Sequence, residues 1–276
     1  MKLKLKTFLA ASIVTALVGC TSNGNNSSTA SMELIKAAQD AQRADKNSAR
    51  DKYRNPVKTL DFFGFKPSMT VVEIAPGGGW YSEILAPALK GQGTFYAAHF
   101  PSDAKGYYAR SLNAFKEKVK TDTRYADVKI TEFSPVTNTD IAPAGSADMV
   151  LTFRNVHNWY MGKNEEGVLS AFQSFHTALK PGGILGVVEH RLPEHRDDAD
   201  QKRSGYMKQS YVINIAKQAG FELVDQSDIN ANPLDSADHP KGVWTLPPRL
   251  ALGEEKQAQY KAIGESDRMT LKFKKL

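Results

Sequence analysis

The chain has 276 residues, of which 41% are hydrophobic and 24% charged, and its formal net charge is +6 at pH 7. These values are ordinary for a globular protein that buries its own core, so no disulfide or metal is needed to hold the fold. The only cysteine is Cys20, which excludes an intrachain disulfide and any cysteine-based metal site.

The N-terminus has the layout of a secretory signal. Three lysines within the first six residues precede a short apolar run, residues 8–18, and small residues lead to Cys20. The apolar run is too short for an ordinary transmembrane helix. Residues 17–20, Leu-Val-Gly-Cys, resemble the cleavage box of bacterial lipoproteins. This resemblance implies a signal peptide over residues 1–19 and a stable membrane anchor of several acyl chains on Cys20.

The residue after the lipidated cysteine bears on location. Thr21 stands there, and in Gram-negative lipoproteins a residue other than aspartate suggests the outer membrane, here its periplasmic face. The alternative is a cytosolic protein with an apolar N-terminal helix. Cleavage would remove three lysines and no acids, which leaves a net charge of about +3. A charge this mild argues against a nucleic-acid partner.

Small polar residues predict a flexible tether over residues 20–31, followed by one folded domain over residues 32–276. An Ala-, Gln- and charge-rich composition predicts a first helix over residues 32–46. A second helix is predicted over residues 56–63, with Asn55 as its N-terminal cap.

From residue 69 onwards, apolar β-rich runs alternate with amphipathic stretches. Strands are predicted at 69–75, 93–100, 127–133, 147–153, 182–190, 221–228 and 268–275. Helices are predicted at 80–89, 107–120, 164–179 and 205–219. This alternation predicts an α/β fold with a mainly parallel sheet covered on both faces. Residues 229–267 contain four prolines and no apolar periodicity, which indicates a long insertion that serves as a lid or binding loop.

A glycine-rich loop joins the first strand to the following helix, with the sequence Glu-Ile-Ala-Pro-Gly-Gly-Gly-Trp over residues 73–80. Glycines let a ligand approach the backbone, and the helix N-terminus offers unpaired N–H groups. A nicotinamide-binding loop that starts at Gly77 would need glycine at 82, where Ser82 stands. The lysine of a phosphate-binding P-loop and the nucleophile elbow of hydrolases are also absent from the sequence.

At these residues the sequence resembles the class I S-adenosylmethionine-dependent methyltransferase family. Glu73, Gly77 and Gly79 match its first motif, which is an acid, three residues, glycine, any residue and glycine. The turn Leu-Lys-Pro-Gly-Gly at 179–183 is also common in the family, as is a final antiparallel hairpin. The resemblance covers about residues 55–276 and is greatest to a group of predicted bacterial methyltransferases. It implies a Rossmann-like fold with a mainly parallel seven-stranded sheet, an antiparallel last strand and helices on both faces.

The family's residue roles carry over to the matching positions. The backbone at Gly77, Gly78 and Gly79 would pass the methionine part of S-adenosylmethionine, and Glu73 would hold the loop or contact the cofactor amine through water. The alternative is a tight strand-to-helix turn that binds no ligand, with Glu73 as its brace.

The end of the second strand departs from the family pattern. The family usually has an acid there, about 20 residues after the loop, which accepts hydrogen bonds from both ribose hydroxyls. Here His99 stands at the strand end, and it can accept only one such bond, when neutral. His99 is the expected ribose ligand; Asp103 could substitute for it, and His99 would then be an ordinary strand-end residue.

Polar side chains follow the fourth strand, where ligands bind in open parallel sheets. The segment 154–160 holds one guanidinium, one imidazole, two amides and two aromatic rings. His157 is the expected general base, with Arg154 and Asn155 as catalytic or substrate-gripping partners. Trp159 and Tyr160 could face the cofactor's sulfonium. The alternative is that both aromatic residues anchor the loop and that His157 bonds a backbone carbonyl.

Glu189, His190 and Arg191 follow the fifth strand. Glu189 is expected to orient His157 or Arg154, and Arg191 could hold an acidic substrate group. The alternative is a structural ion pair under the insertion. No metal is expected, because the histidines here do not have a metal-ligand spacing.

The sequence therefore predicts an S-adenosylmethionine-dependent methyltransferase with a small-molecule or envelope substrate. The alternative is a non-catalytic or altered-ligand lipoprotein with the same fold. The missing strand-end acid favours that alternative, and so does export, because the cofactor is made in the cytoplasm. A nicotinamide oxidoreductase is excluded by Ser82 and by the missing acid.

Overall fold

The computed structural model describes residues 24–276, so the predicted signal peptide, Cys20 and the first tether residues lie outside the described residues. A sheet of eight strands forms the centre of the fold. The strands are β1 (Thr70–Ile74), β2 (Thr94–His99), β3 (Val128–Glu132), β4 (Ala147–Phe153), β5 (Leu179–Leu192), β6 (Met207–Lys208), β7 (Phe221–Ser227) and β8 (Arg268–Lys275). The helices are α1 (Gly24–Ala38), α2 (Asp45–Ser48), α3 (Asp51–Arg54), α4 (Pro56–Phe63), α5 (Ser82–Leu89), α6 (Tyr107–Thr121), α7 (Val156–Ala178), α8 (Gln209–Gln218) and α9 (Gln257–Ile263).

The strand order is β3-β2-β1-β4-β5-β8-β7, and the two-residue β6 pairs with β5 outside this path. Strands β1 to β5 pair in parallel, whereas β8 is antiparallel to both of its neighbours, β5 and β7. The fold class predicted from the sequence is therefore confirmed. The short β6 was not predicted, because two residues carry no periodicity. The last strand lies inside the sheet, and β7 forms its edge.

Alternate side chains of the central strands supply two cores, one on each face of the sheet. Val72 and Val150 belong to the first core together with Phe172 and Phe175 of α7. The second core contains the intervening residues Val71, Met149 and Leu151, and helices α1, α4, α5 and α6 cover it. The unbroken apolar runs in the sequence thus reflect strands that are buried on both sides.

The N-terminal helices differ in part from the prediction. Helix α1 begins at Gly24, so residues 24–31, which were predicted as tether, are helical, and the helix ends at Ala38. Its later residues Leu34 and Ala37 are buried in the second core, which anchors the helix to the domain. Helix α4 has its predicted bounds. Asn55 precedes it but makes no capping bond, because its side-chain amide donates to the carbonyl of Ile229 instead.

The insertion over residues 229–267 packs closely on the domain. It contains one 3₁₀ turn, Gly242–Thr245, and the short helix α9. Asn230 is buried and its amide donates to the hydroxyls of Thr59 and Thr270, which ties the start of the insertion to α4 and β8. Within residues 24–276, no helix combines the length and the apolar character that crossing a membrane requires.

Candidate active site

A cavity of about 2360 Å³ opens beyond the carboxyl ends of β1, β2 and β4, which is where open parallel sheets bind ligands. Several of its walls come from segments that lie far apart in the sequence. They are the glycine-rich loop, the segment from Phe100 to Tyr108, the segment from Phe153 to Trp159, and residues 237–251 of the insertion. Part of the insertion therefore borders the cavity.

The three glycines of the loop divide into two kinds. Gly77 has a φ of 58°, and a Cβ added to Gly77 or Gly78 would meet no atom within 4 Å. Both residues line the cavity. Gly79 has a φ of 75°, and a Cβ there would lie 3.0 Å from the ring of Phe115. Gly79 was expected to contact the cofactor. Instead, glycine is needed at this position because the backbone is left-handed and packs closely against α6.

Glu73 lies at the end of β1, is buried, and lines the same cavity. The hydroxyl of Ser82 donates to its Oε2 over 2.5 Å. Burial raises the pKa of Glu73 to about 7, against the opposing effects of the Ser82 hydrogen bond and the charges of Arg154 and Lys118. Glu73 thus braces the loop through α5 and also offers a carboxylate that titrates near neutral pH.

His99 is not available to a ribose, which corrects its predicted role. Its Nδ1 accepts the N–H of Phe100 over 2.8 Å, and its Nε2 donates to the carbonyl of Gly77 over 3.0 Å. The ring is fully buried, and burial lowers its pKa. Both nitrogens are therefore occupied by backbone groups, and the neutral imidazole holds the glycine loop against the end of β2.

The carboxylate that follows β2 and does reach the cavity is Asp103, which is exposed. Tyr107 and Tyr108 line the wall beside it and are 62% and 52% exposed. Phe100 packs edge-on against Tyr108 with ring centroids 4.7 Å apart. The sequence offered a signal for this aromatic wall, since two adjacent tyrosines at the start of a helix are rarely both core residues.

Two strand ends at the cavity carry strained backbone. Ala75 after β1 has a φ of 45° and Arg154 after β4 a φ of 60°, and residues other than glycine seldom adopt this conformation outside functional sites. Asn155 lies between these strand ends. Its side-chain amide donates to the carbonyl of Ile74 over 3.0 Å. Asn155 therefore fixes the two strand ends to each other while it lines the cavity.

His157 and Glu189 are in contact, as the sequence predicted. Nδ1 of His157 lies 2.9 Å from Oε1 of Glu189, and the backbone N–H of His157 donates to Oε2 over 3.3 Å. Glu189 is fully buried at the end of β5, whereas His157 lines the cavity. His157 lies in the first turn of α7, because this helix begins at Val156 and is kinked at Asn164; a helix from 164 was predicted.

His190 completes a set of three side chains whose ligand atoms lie within 4.8 Å of one another. Its Nδ1 lies 2.5 Å from the hydroxyl of Ser266, and burial lowers its pKa well below the ordinary value, with His157 adding to the effect. Hydrogen bonds thus hold one ring nitrogen of each histidine in place.

Three further side chains have the structural roles that the sequence left open as alternatives. Trp159 packs against Phe133 and Phe175 in the core, with one edge at the cavity, and Tyr160 packs against Tyr211. Arg191 is paired with Asp267 over 2.8 Å and with Asp228 over 3.0 Å, so it is not available to a substrate.

Sequence reasoning missed the contribution of two distant segments. Arg50 and Arg54 come from the N-terminal helices, and Trp244 comes from the insertion, with its ring 6.2 Å from that of His157. No local pattern relates these residues to the strand ends, because only the packing of α3 and of the insertion brings them together.

Solved structures of the same fold include methyltransferases of low sequence identity. The chain is similar to a SAM-dependent methyltransferase from Aquifex aeolicus, with a TM-score of 0.55, 14% identity, and coverage of 89% of this chain and 98% of that chain. It is similar to an O-methyltransferase family protein from Burkholderia thailandensis, with a TM-score of 0.52, 13% identity, and coverage of 87% and 61%. It is also similar to the [4+2]-cyclase SpnF, with a TM-score of 0.55, 14% identity, and coverage of 91% and 96%.

At these identities the likeness establishes the fold alone. The chain has the Rossmann-like fold of class I SAM-dependent methyltransferases. No protein-family model and no curated protein sequence matches it.

Proposed function

We propose that this chain is an S-adenosylmethionine-dependent methyltransferase that acts on a small-molecule or envelope substrate. One observation carries the proposal. A single cavity joins an open glycine loop beside the carboxylate of Glu73 to a histidine that a buried glutamate orients. The glycine-loop end of the cavity would bind the cofactor, and His157 at the other end would accept a proton from the substrate.

The residues present fit the cofactor. The space beside Gly77 and Gly78, which a side chain would fill, lets the methionine part lie against the backbone. Glu73 when ionised suits its ammonium group, and Asp103 is the carboxylate placed to accept bonds from the ribose hydroxyls. The chemistry that the bound cofactor supplies is an electrophilic methyl group on a sulfonium.

His157 would remove the proton of the attacking oxygen, nitrogen or carbon of the substrate through Nε2. Glu189 accepts the Nδ1–H of His157, which fixes the tautomer and stabilises the imidazolium as it forms. Trp244 and the other insertion residues on the cavity wall would exclude water from the transfer.

A second candidate is a protein of the same fold with an altered ligand or no catalysis. It is supported by His99, whose ring nitrogens are both occupied where a ribose-binding acid is usual. The similarity to a protein described as a [4+2]-cyclase shows that the fold also occurs in proteins described by other reactions. We further propose a lipid anchor on Cys20 at the periplasmic face of the outer membrane. This location favours the second candidate, because the cofactor is made in the cytoplasm.

The two candidates separate in one experiment. We would titrate the full-length chain in detergent with S-adenosylmethionine and with S-adenosylhomocysteine in a calorimeter, and offer tritiated S-adenosylmethionine with envelope and small-molecule extracts. The methyltransferase proposal expects binding of both ligands and labelled product, with weaker binding in Asp103→Asn. Binding without transfer would favour the second candidate, and no heat at millimolar ligand would exclude the cofactor altogether.

A further inference from the structure

Three arginines contact a single carboxylate beside the cavity, and a fourth arginine lines the cavity near them. Nε of Arg50 lies 2.5 Å from Oε1 of Glu265, and Nε of Arg54 lies 3.0 Å from its Oε2, to which Arg268 also donates. Arg154 is the fourth, close enough that its charge acts on Arg54. Although burial raises the pKa of Glu265, Arg268, Arg54 and Arg50 lower it to about 2. The carboxyl is therefore ionised, and it balances only one of the four positive charges.

This arginine cluster keeps hydrogen-bond capacity that the protein does not use. Arg54 is 3% exposed and lines the cavity, yet its buried Nη1 has no hydrogen-bond partner in the described part of the chain. Arg154 also lines the cavity, and within residues 24–276 its side chain makes no hydrogen bond; burial, followed by the charge of Arg268, lowers its pKa to about 10. Buried cationic donors without partners are costly, so such groups indicate a ligand that is an anion.

The rest of the cavity wall has the same sign. Apart from the cluster arginines, its lining residues include nine lysines and arginines but only five aspartates and glutamates. The cofactor does not offset this excess, because it carries one carboxylate against an ammonium and a sulfonium and so adds positive charge. Glu265 and Asp122, which lie outside the lining, pair with Arg50, Arg54 and Arg124. A neutral or cationic methyl acceptor would leave the remaining excess uncompensated.

We infer that the methyl acceptor carries an anionic group, a carboxylate or a phosphate, and that Arg154 and Arg54 bind it. This inference rests on the proposed methyltransferase function. A guanidinium offers two parallel N–H donors that match both kinds of oxyanion. Because Arg154 is three residues before His157, an acid held there would place the rest of the acceptor near the proposed base.

The test is a calorimetric titration of the full-length chain in detergent with inorganic phosphate and with acetate, with and without saturating S-adenosylhomocysteine. We expect at least one anion to bind in the presence of S-adenosylhomocysteine. Arg154→Gln and Arg54→Gln should weaken that binding about 10-fold or more, and Arg154→Lys should weaken it less. Lys66→Gln, which removes an exposed lysine outside the cavity lining, should leave it unchanged.

Thermal melting separates lost binding from lost folding. The Arg154 side chain has no hydrogen-bond or ion-pair partner among residues 24–276, so Arg154→Gln should keep or raise the melting temperature. Competition between the anions and S-adenosylhomocysteine would mean that the arginines hold the cofactor's own carboxylate; this would overturn the inference and leave the methyltransferase proposal intact. Absence of anion binding beside normal S-adenosylhomocysteine binding would also overturn it. Arginine-dependent anion binding without any affinity for S-adenosylhomocysteine would instead remove the methyltransferase proposal.

Discussion

Nδ1 of His157 lies 2.9 Å from Oε1 of Glu189, although the two residues are 32 positions apart and belong to α7 and β5. The contact follows from the sheet, because β4 and β5 are parallel neighbours and their carboxyl ends meet at one edge. Glu189 is fully buried and also accepts the backbone N–H of His190 over 2.8 Å. Its position is therefore fixed, and Nε2 of His157 is the nitrogen left for a ligand.

The first prediction concerns this pair. His157→Ala should lower methyl transfer by about 10²–10⁴, the usual contribution of a general base, and leave the affinity for S-adenosylhomocysteine unchanged. Glu189→Gln should lower the rate and shift its pH profile, because the imidazolium loses its anionic partner. His176→Ala, at the C-terminal end of α7 away from the cavity, is the matched control. Unchanged turnover in His157→Ala would remove His157 from the mechanism.

The open glycine of the loop gives a prediction about binding. Gly78→Asp should abolish binding of S-adenosylhomocysteine and leave the melting temperature close to that of the wild type, because the new side chain enters the empty cavity. Gly162→Asp, at another exposed glycine with no atom near its Cβ position, is the control and should bind normally. Normal binding by Gly78→Asp would mean that the cofactor does not pass this backbone.

The neighbouring glycine gives a prediction about stability. Gly79→Ala combines a positive φ with a Cβ at 3.0 Å from Phe115, so it should lower the free energy of unfolding by about 1–3 kcal/mol. Gly78→Ala lacks both features and should change it little. Urea denaturation measures both variants, and equal stabilities would show that Gly79 is not held by packing.

The pKa of Glu73 makes stability depend on pH. Burial raises this pKa from 4.5 to about 7 in the folded chain. Between these values the unfolded carboxyl releases a proton that the folded one retains, so the contribution of Glu73 to the free energy of unfolding falls as pH rises from about 4.5 to about 7. The full effect is about 3 kcal/mol.

Glu73→Gln should remove that slope, with a stability similar to the wild type at pH 5 and greater at pH 8. The exposed Glu222 provides the control variant, Glu222→Gln. Urea denaturation across this pH range is the measurement, and a wild-type slope in Glu73→Gln would assign the effect to another group. Binding of S-adenosylmethionine should in turn strengthen as pH rises through about 7, because its ammonium prefers the ionised carboxylate.

The proposed anchor is tested through Cys20. Cys20→Ser should move the protein from the membrane fraction to the soluble fraction, and metabolic labelling with a palmitate analogue should fail. Thr21→Asp should keep the lipid and shift the protein from the outer to the inner membrane. A Cys20→Ser protein that still sediments with membranes would contradict lipidation.

The sequence predicted the sheet well, for a physical reason. Strand β4 has its predicted bounds, because residues buried on both faces produce an apolar run that ends where burial ends. Strand β8 has its predicted bounds because its apolar residues Met269, Leu271 and Phe273 alternate with polar ones and pack in the first core. The start of α7 was missed, because residues 156–163 include polar side chains that face the cavity and break the helical pattern.

The sequence predicted only the parts of the site that lie in short motifs or at the ends of adjacent strands. The glycine loop and the strand-end residues could be read from the sequence, and the pairing of Glu189 with His157 follows from adjacent parallel strands. The arginine cluster could not be found, because Arg54 and Glu265 are 211 positions apart and no periodic pattern relates them. His99 was misjudged, since its bond to Gly77 depends on how the loop folds back over β2.

The position of β8 constrains the order in which the fold can assemble. β8 fills the gap between β5 and β7, yet it follows both in the chain. Until residue 268 is available, two strand edges face each other unpaired, and open edges of this kind invite association with other chains. Any factor that delays this segment would leave β5 with an unpaired edge and β7 without the strand that joins it to the sheet.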